Sequence, residues 1–386
     1  MSRAASLYIH IPFCLGRCYY CAFYSTKADD PVKAEKFRVA LQYEIQQTAA
    51  MGRMADRIDT VYFGGGNPCF DGGRTIAAVL AMPCIKSRID SATEVTAECN
   101  PESADLHTLQ QLRLNGVNRM SMGLQSTDNE LLAAIGRRHT YEGFLTALSN
   151  ARKAGFCNIS ADLIYGLPGQ SLRGWENDLE RAISLQLEHL SCYALKIEEE
   201  SKLHEMICCG QLPMPDDDLQ ADMFERASEM LRSNGYDHYE ISNFARHEMT
   251  SKHNLVYWQG GDYLGFGPSA HSRIGRCRFW NESSLDAYIA ASGISDIQHK
   301  LNLNMSDWIM ETAMMMLRTS QGIDNEIFSK FFGVRPFSVM NIKIKEFINE
   351  GLIFVDNRGM RLNERGFLLS NRILAEILTF SYNLDS

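Results

Sequence analysis

Leu7-Tyr8-Ile9-His10-Ile11-Pro12-Phe13-Cys14-Leu15-Gly16-Arg17-Cys18-Tyr19-Tyr20-Cys21 runs an apolar strand straight into a loop of three cysteines. Thiolates are soft ligands that favour iron–sulfur clusters or zinc. With the spacing Cys14-x3-Cys18-x2-Cys21, three thiolates can grip one face of a [4Fe–4S] cubane and leave its fourth iron open to another ligand. A structural zinc loop would need a fourth ligand nearby and usually comes as paired knuckles. Only Cys18 and Cys21 form a tight pair, and no second knuckle follows. Phe13, Tyr19, Tyr20, Phe23 and Tyr24 give the loop an aromatic shell, and burial of this kind tunes a cluster's potential. The spacing favours a redox cluster, with zinc as the alternative.

Outward from this loop, strand patterns are expected at 6–11, 58–64, 93–99, 117–123, 158–164 and 189–196. Helical patterns are expected near 33–50, 73–82, 104–115, 128–153, 173–186 and 217–234, with Gly155 and Gly235 at helix ends. Alternation of this kind implies a parallel sheet with right-handed crossovers. Six units suggest an incomplete α/β barrel, which pattern alone does not separate from an open doubly wound sheet. The rhythm stops near residue 236. We therefore expect an α/β core over 1–236, an aromatic and glycine-rich extension over 237–300, and a smaller, mainly helical domain over 301–386. That last segment carries a hairpin from Leu352 to Leu362 turning at Asp356-Asn357-Arg358-Gly359, a winged-helix-like arrangement.

Composition narrows the function classes. The 386 residues carry 47 Asp and Glu against 38 Lys and Arg, a formal net charge of −9, which argues against a nucleic-acid partner. The winged segment, with 9 basic and 10 acidic residues, has no basic footprint and reads as a packing module. No apolar signal segment precedes the first strand and no stretch of about 20 apolar residues suggests an integral membrane helix. Eleven cysteines then point to a reducing, cytoplasmic setting in which they act as ligands or packing groups.

In α/β barrels the chemistry sits at the carboxyl ends of the strands. The first strand ends at the cysteine loop. The second ends in Phe63-Gly64-Gly65-Gly66-Asn67-Pro68, where absent side chains let the backbone approach a ligand, or simply make a turn. Glu98 lies near the end of the third strand, Gln125 follows the fourth, and Arg137 comes twelve residues later. Asp162 interrupts the apolar fifth strand, where a charge is costly unless paired or used, and Tyr193 ends the sixth. Each could be structural; together they form one polar lining facing the cysteine loop.

With Tyr20 before its last cysteine, the loop resembles that of the radical S-adenosylmethionine (SAM) superfamily, as do the glycine run and Glu98-Cys99-Asn100-Pro101. Leu7 to Pro12, Met122 to Ser126, Asp162 to Gln170 and His238 to Asn243 are similar to the coproporphyrinogen III oxidase-like subfamily. The likeness runs nearly the whole chain, to Leu362-Asn363-Glu364-Arg365-Gly366. It implies a partial (β/α)6 barrel holding a [4Fe–4S] cluster on Cys14, Cys18 and Cys21. SAM would sit among Tyr8, Tyr20, Gly65, Gly66, Asn67, Glu98, Gln125, Arg137 and Asp162. It further implies that an electron entering the SAM sulfonium can cleave a C–S bond to give a 5′-deoxyadenosyl radical.

Within the subfamily, oxygen-independent coproporphyrinogen III oxidases usually carry another cysteine two residues after the third ligand, and an N-terminal extension. Here Phe23 stands at that position and five residues precede the first strand. The relatives lacking both are heme chaperones with a His-Asn-x-x-Tyr-Trp motif, present here as His253 to Trp258. That resemblance implies heme as a ligand, His253 as its iron ligand, and a heme-acceptor protein as partner. The oxidase is the alternative, so catalysis stays open. Two departures stand out: Asn67-Pro68-Cys69 replaces the more usual Thr-Pro-Ser, and Ala22 replaces a common Asp.

Overall fold

The computed structural model describes residues 4–293, 299–340 and 342–378. The expected 237–300 and 301–386 segments thus include stretches, 294–298 and 379–386, that lie outside the described residues. Six parallel strands lie side by side in chain order: β1 (Ser6–Ile11), β2 (Thr60–Gly65), β3 (Glu94–Cys99), β4 (Arg119–Gln125), β5 (Ile159–Tyr165) and β6 (His189–Ala194). Strand β6 pairs with β5 and with a later segment, never back to β1, so the barrel stays open.

The two faces of these strands differ chemically. Leu7, Ile9, Val61, Phe63, Val95, Ala97, Met120, Met122, Ile159, Ala161 and Leu190 alternate onto the outer face and join the main hydrophobic core. The inner face carries Tyr8, Tyr62, Thr96, Glu98, Arg119, Ser121, Asp162, His189 and Ser191, in register across neighbouring strands. Parallel strands covered on both faces are ordinarily apolar throughout. A polar inner face is therefore the imprint of a site.

One expected helix is two. The pattern over 128–153 divides into α1 (Asn129–Ala134), capped by Asp128, and α2 (Tyr141–Lys153), capped by Thr140. Gly136 makes the break at φ +75°, and a Cβ there would sit 2.7 Å from the Tyr19 ring. The segment between the helices braces the cysteine loop. Ile135 O accepts from Tyr19 N at 3.0 Å, and Arg138 Nη1 donates to Leu15 O at 2.9 Å.

After residue 236 the chain returns to the same sheet. β7 (Asp237–Glu240) and β8 (Asn243–Ala245) extend it antiparallel beyond β6, and β9 (Leu264–Phe266) lies parallel against β1. Between β8 and β9, the helix α3 (Lys252–Trp258) packs on β2. Its first two amides, Lys252 N and His253 N, donate to the Glu94 carboxylate at 3.1 Å each, a favourable pairing of an acid with a helix N-terminus.

In the last segment, helices Met305–Met316, Asn325–Phe332 and Ile344–Asn349 precede a hairpin of Ile353–Val355 and Gly359–Leu362. Asp356 closes its turn by accepting from the amides of Arg358 and Gly359. Ile323–Asp324 adds a third strand, completing a small winged-helix-like unit.

Candidate functional site

A cavity of about 450 Å³ opens at the carboxyl ends of the strands, within the range of small-molecule sites. It gathers Cys14, Cys18, Cys21, Tyr20, Gly65, Gly66, Glu98, Gln125, Arg137 and Asp162 from six separate stretches of chain.

The cysteine loop is held from below by the glycine run. Gly66 N donates to Ile11 O and Asn67 N to Phe13 O, both at 2.8 Å. A Cβ on Gly66 would lie 2.6 Å from Phe13 O, and one on Gly65 2.7 Å from the His10 ring. The glycines thus let the second strand's turn press against the first, as well as baring backbone to a ligand.

All three thiols are partly buried. Burial, with Cys21 and Cys18 nearby, pushes the Cys14 thiol up to about 12, and burial also raises Cys21. Without a metal Cys14 and Cys21 are protonated thiols, so ligand formation by them releases protons. Among the described residues no three His, Cys, Asp or Glu side chains converge closely enough for a single ion. A mononuclear zinc cage is not built here. Thiolates on the separate irons of a cubane need a wider spread than the ligands of one ion.

Arg137 reaches the loop from the helix break. Its Nη1 lies 3.5 Å from Cys18 Sγ, while Nη2 donates to Gly123 O at 2.9 Å and to Asn100 Oδ1 at 3.2 Å. Glu98 accepts from Tyr62 OH at 2.8 Å and Gly65 N at 3.2 Å, yet burial still pushes its carboxyl up to about 7. Burial raises Asp162 as well, against hydrogen bonds from Ser191 and Ser121. Gln125 adopts φ +67° at a bulge where β4 slips against β5. Left-handed backbone in a non-glycine residue costs energy and is concentrated at functional sites.

Three expected site residues stand elsewhere. Tyr8 lies behind Tyr62, with its hydroxyl 3.0 Å from His10 Nδ1. Asn67 is buried behind the glycine turn, where Nδ2 donates to Ser103 Oγ at 2.7 Å and Oδ1 accepts from Asn100 N at 3.3 Å. These bonds tie the second and third strand ends together, which is a positioning role. His253 is 1% exposed on α3. Its Nδ1 lies 2.8 Å from Thr60 Oγ1 and its Nε2 2.8 Å from Tyr257 OH. Burial, with Arg119 nearby, lowers its pKa to about 3, so the ring is neutral. Ligation through either nitrogen requires one of these bonds to open.

The cavity also contains Tyr62, Asn100, Arg119, Ser121, His189, Ser191 and Asn254, none of which was anticipated. The signal was present for most of them: they share strand parity with Glu98 or Asp162, and parity selects the face.

Sequence comparison adds relatives. The family described as the radical SAM superfamily matches residues 8–182, and the HemN C-terminal domain matches 306–369. The chain is 33% identical to Heme chaperone HemW of Bacillus subtilis, covering 97% of this chain and 99% of that one. It is also 33% identical to Radical S-adenosyl methionine domain-containing protein 1, mitochondrial, of Danio rerio, over 97% of this chain and 87% of the relative. Coproporphyrinogen III oxidase (HemN) of Escherichia coli superposes with a TM-score of 0.82 at 25% identity, covering 98% of this chain and 90% of that one.

Proposed function

The chain belongs to the radical SAM superfamily, in its coproporphyrinogen III oxidase-like subfamily, and on that premise we propose that it is a heme chaperone. In this reading it binds a [4Fe–4S] cluster, SAM and heme, and passes heme to an acceptor protein in the cytoplasm. The observation that carries the reading is near-full-length identity of 31–33% to several bacterial proteins named Heme chaperone HemW. Two features of this chain support it. Phe23, at the mouth of the cavity, is 71% exposed where the oxidases place a further cysteine. A cleft of about 970 Å³ touches α3 at Leu255 and another of about 810 Å³ begins at Gln259, just past the helix end, and both offer more room than the strand-end cavity. No helix among the described residues is long and apolar enough to cross a membrane.

Cys14, Cys18 and Cys21 would hold the cluster, which when bound supplies an electron to SAM. Gly65 and Gly66 offer backbone to the methionyl group, Glu98 and Asp162 accept hydrogen bonds, and Arg137 donates. The structural likeness to coproporphyrinogen III oxidase keeps SAM-dependent oxidative decarboxylation as the second reading. One comparison separates the two: assay coproporphyrinogen III turnover and heme titration side by side on anaerobically reconstituted protein. A Soret band that saturates near one heme per chain, with no SAM-dependent decarboxylation, is expected. Robust turnover would sink the chaperone reading.

SAM affinity should depend on pH through Glu98, whose folded pKa is raised from 4.5 to about 7. Below pH 7 the carboxyl is protonated in the SAM-free protein. Cationic SAM favours the ionised form, so binding expels a proton there. Affinity therefore falls as pH drops from 8 to 6, approaching tenfold per unit below 7. Isothermal titration across this window should show a shallower dependence in Glu98→Gln than in the wild type, the remaining slope belonging to the α-amino group of SAM, which itself titrates at about pH 8. An equal slope in both proteins would exclude Glu98 as the linked group.

A further inference from the structure

The strand-end cavity and the cleft at Leu255 share a wall. His189 of β6 lines the cavity, and Tyr239 of β7 lines the cleft. Their side chains touch: His189 Nε2 lies 2.8 Å from Tyr239 OH, while His189 Nδ1 lies 2.7 Å from Ser160 Oγ of β5. The Tyr239 oxygen also accepts from Ser251 N at 3.2 Å, and Ser251 is the residue that caps α3. The helix in turn meets both spaces, with Asn254 in the cavity and Leu255 in the cleft.

Burial, with Arg119 nearby, holds the pKa of His189 well below its usual value, so the ring is neutral and carries a single proton. That proton has two possible seats. On Nδ1 it donates to Ser160 Oγ, and Nε2 then accepts from the Tyr239 hydroxyl. On Nε2 it donates to the Tyr239 oxygen, Nδ1 accepts from the Ser160 hydroxyl, and Tyr239 is left free to donate into the cleft. The second arrangement points each O–H and N–H of the chain toward the cleft, which moves positive charge away from the cavity wall.

SAM carries a sulfonium and an ammonium, and positive charge in the cavity favours the second arrangement. An anionic acceptor in the cleft favours it too, because Tyr239 then donates to it. We propose that Tyr239 is a positioning residue that couples the two spaces, so that SAM in the cavity and a carboxylate of heme in the cleft strengthen each other's binding. This rests on the heme reading above; Arg361 and Arg365 stand in the same cleft and suit heme carboxylates. Each ligand discriminates between the same two proton arrangements, so the coupling is reciprocal, about fivefold in each direction.

The test uses anaerobically reconstituted protein with its cluster oxidised, so that no electron reaches SAM. Heme is titrated through the Soret band with and without saturating SAM, and SAM by calorimetry with and without heme. In the wild type each ligand should raise the other's affinity about fivefold. In Tyr239→Phe both ratios should fall to about one, whatever the separate affinities do. A residue that only braced the fold would change affinities and melting temperature and leave the ratio intact. His189→Gln cuts the chain from the cavity side, since an amide cannot pass a proton between its ends, and should give the same loss; it keeps the test open if Tyr239→Phe does not fold. S-adenosylhomocysteine, which lacks the sulfonium charge, should couple more weakly than SAM. Wild-type heme affinity independent of SAM, a ratio unchanged in either variant, or equal coupling by S-adenosylhomocysteine overturns the proposal. Absence of a Soret band in the wild type is a separate result, which removes the heme reading and the coupling with it.

Discussion

Cys14→Ala abolishes the brown chromophore of the reconstituted protein and takes bound iron from about four atoms per chain to near zero. Two thiolates cannot retain a cubane that three hold by one face. The fold should survive, because Cys14 is only partly buried and packs outside the main hydrophobic core. Far-ultraviolet circular dichroism should therefore match the wild type while the visible spectrum is lost. SAM affinity should fall by about two orders of magnitude, ~2.7 kcal/mol, if the open iron of the cluster is what would hold SAM. Iron retained at the wild-type level would refute the cluster assignment. Arg137 extends the same argument through its 3.5 Å approach to Cys18 Sγ and its bond to Gly123 O.

His253→Ala should lower stability by about 3–5 kcal/mol and remove heme binding together. The imidazole bridges Thr60 Oγ1 and Tyr257 OH inside the protein, and its loss leaves both hydroxyls unsatisfied and a cavity beneath β2. Loss of heme in this variant alone therefore does not separate ligation from collapse of the site. Tyr257→Phe does. It removes only the phenol hydroxyl on Nε2 and keeps the ring packed edge-on against Tyr263. If Nε2 ligates heme iron once Tyr257 gives way, this variant binds heme more tightly, by about fivefold, since the competing bond is worth about 1 kcal/mol. A Soret titration reads the change. Unchanged affinity with a lower melting temperature would make His253 a structural residue and move the ligand elsewhere along α3.

Much of the candidate site was legible because its signals are local. Thiolate spacing within one loop, three adjacent glycines and a carboxylate inside an apolar strand each need only a few residues to be read. Strand parity was equally local in Arg119-Met120-Ser121-Met122-Gly123-Leu124-Gln125, whose alternation already separates the core face from the cavity face. Applied across the sheet, it identifies Arg119 and Ser121 as readily as Glu98.

Other features depended on closure of the fold. Gly136 and the Thr140 cap carried a local break signal that the single 128–153 pattern passed over, and the fold adds the Tyr19 ring, more than a hundred residues away in the chain, which leaves no room for a Cβ at 136. Asn67 looked like a ligand-facing turn residue, and only the arrival of Ser103 and Asn100 turns it into a clasp. The sequence by itself determined the strand–helix alternation of the core, the three-thiol loop and the acids that face it, because each follows from spacing and period; the order of the strands came with their pairing. The tertiary structure alone decided that Arg119 lies buried in one cavity with Glu98 and Asp162 and that both nitrogens of His253 are bonded. Those are statements about partners, and a buried group's partners come from whichever distant strands and helices the closed barrel brings within 3 Å.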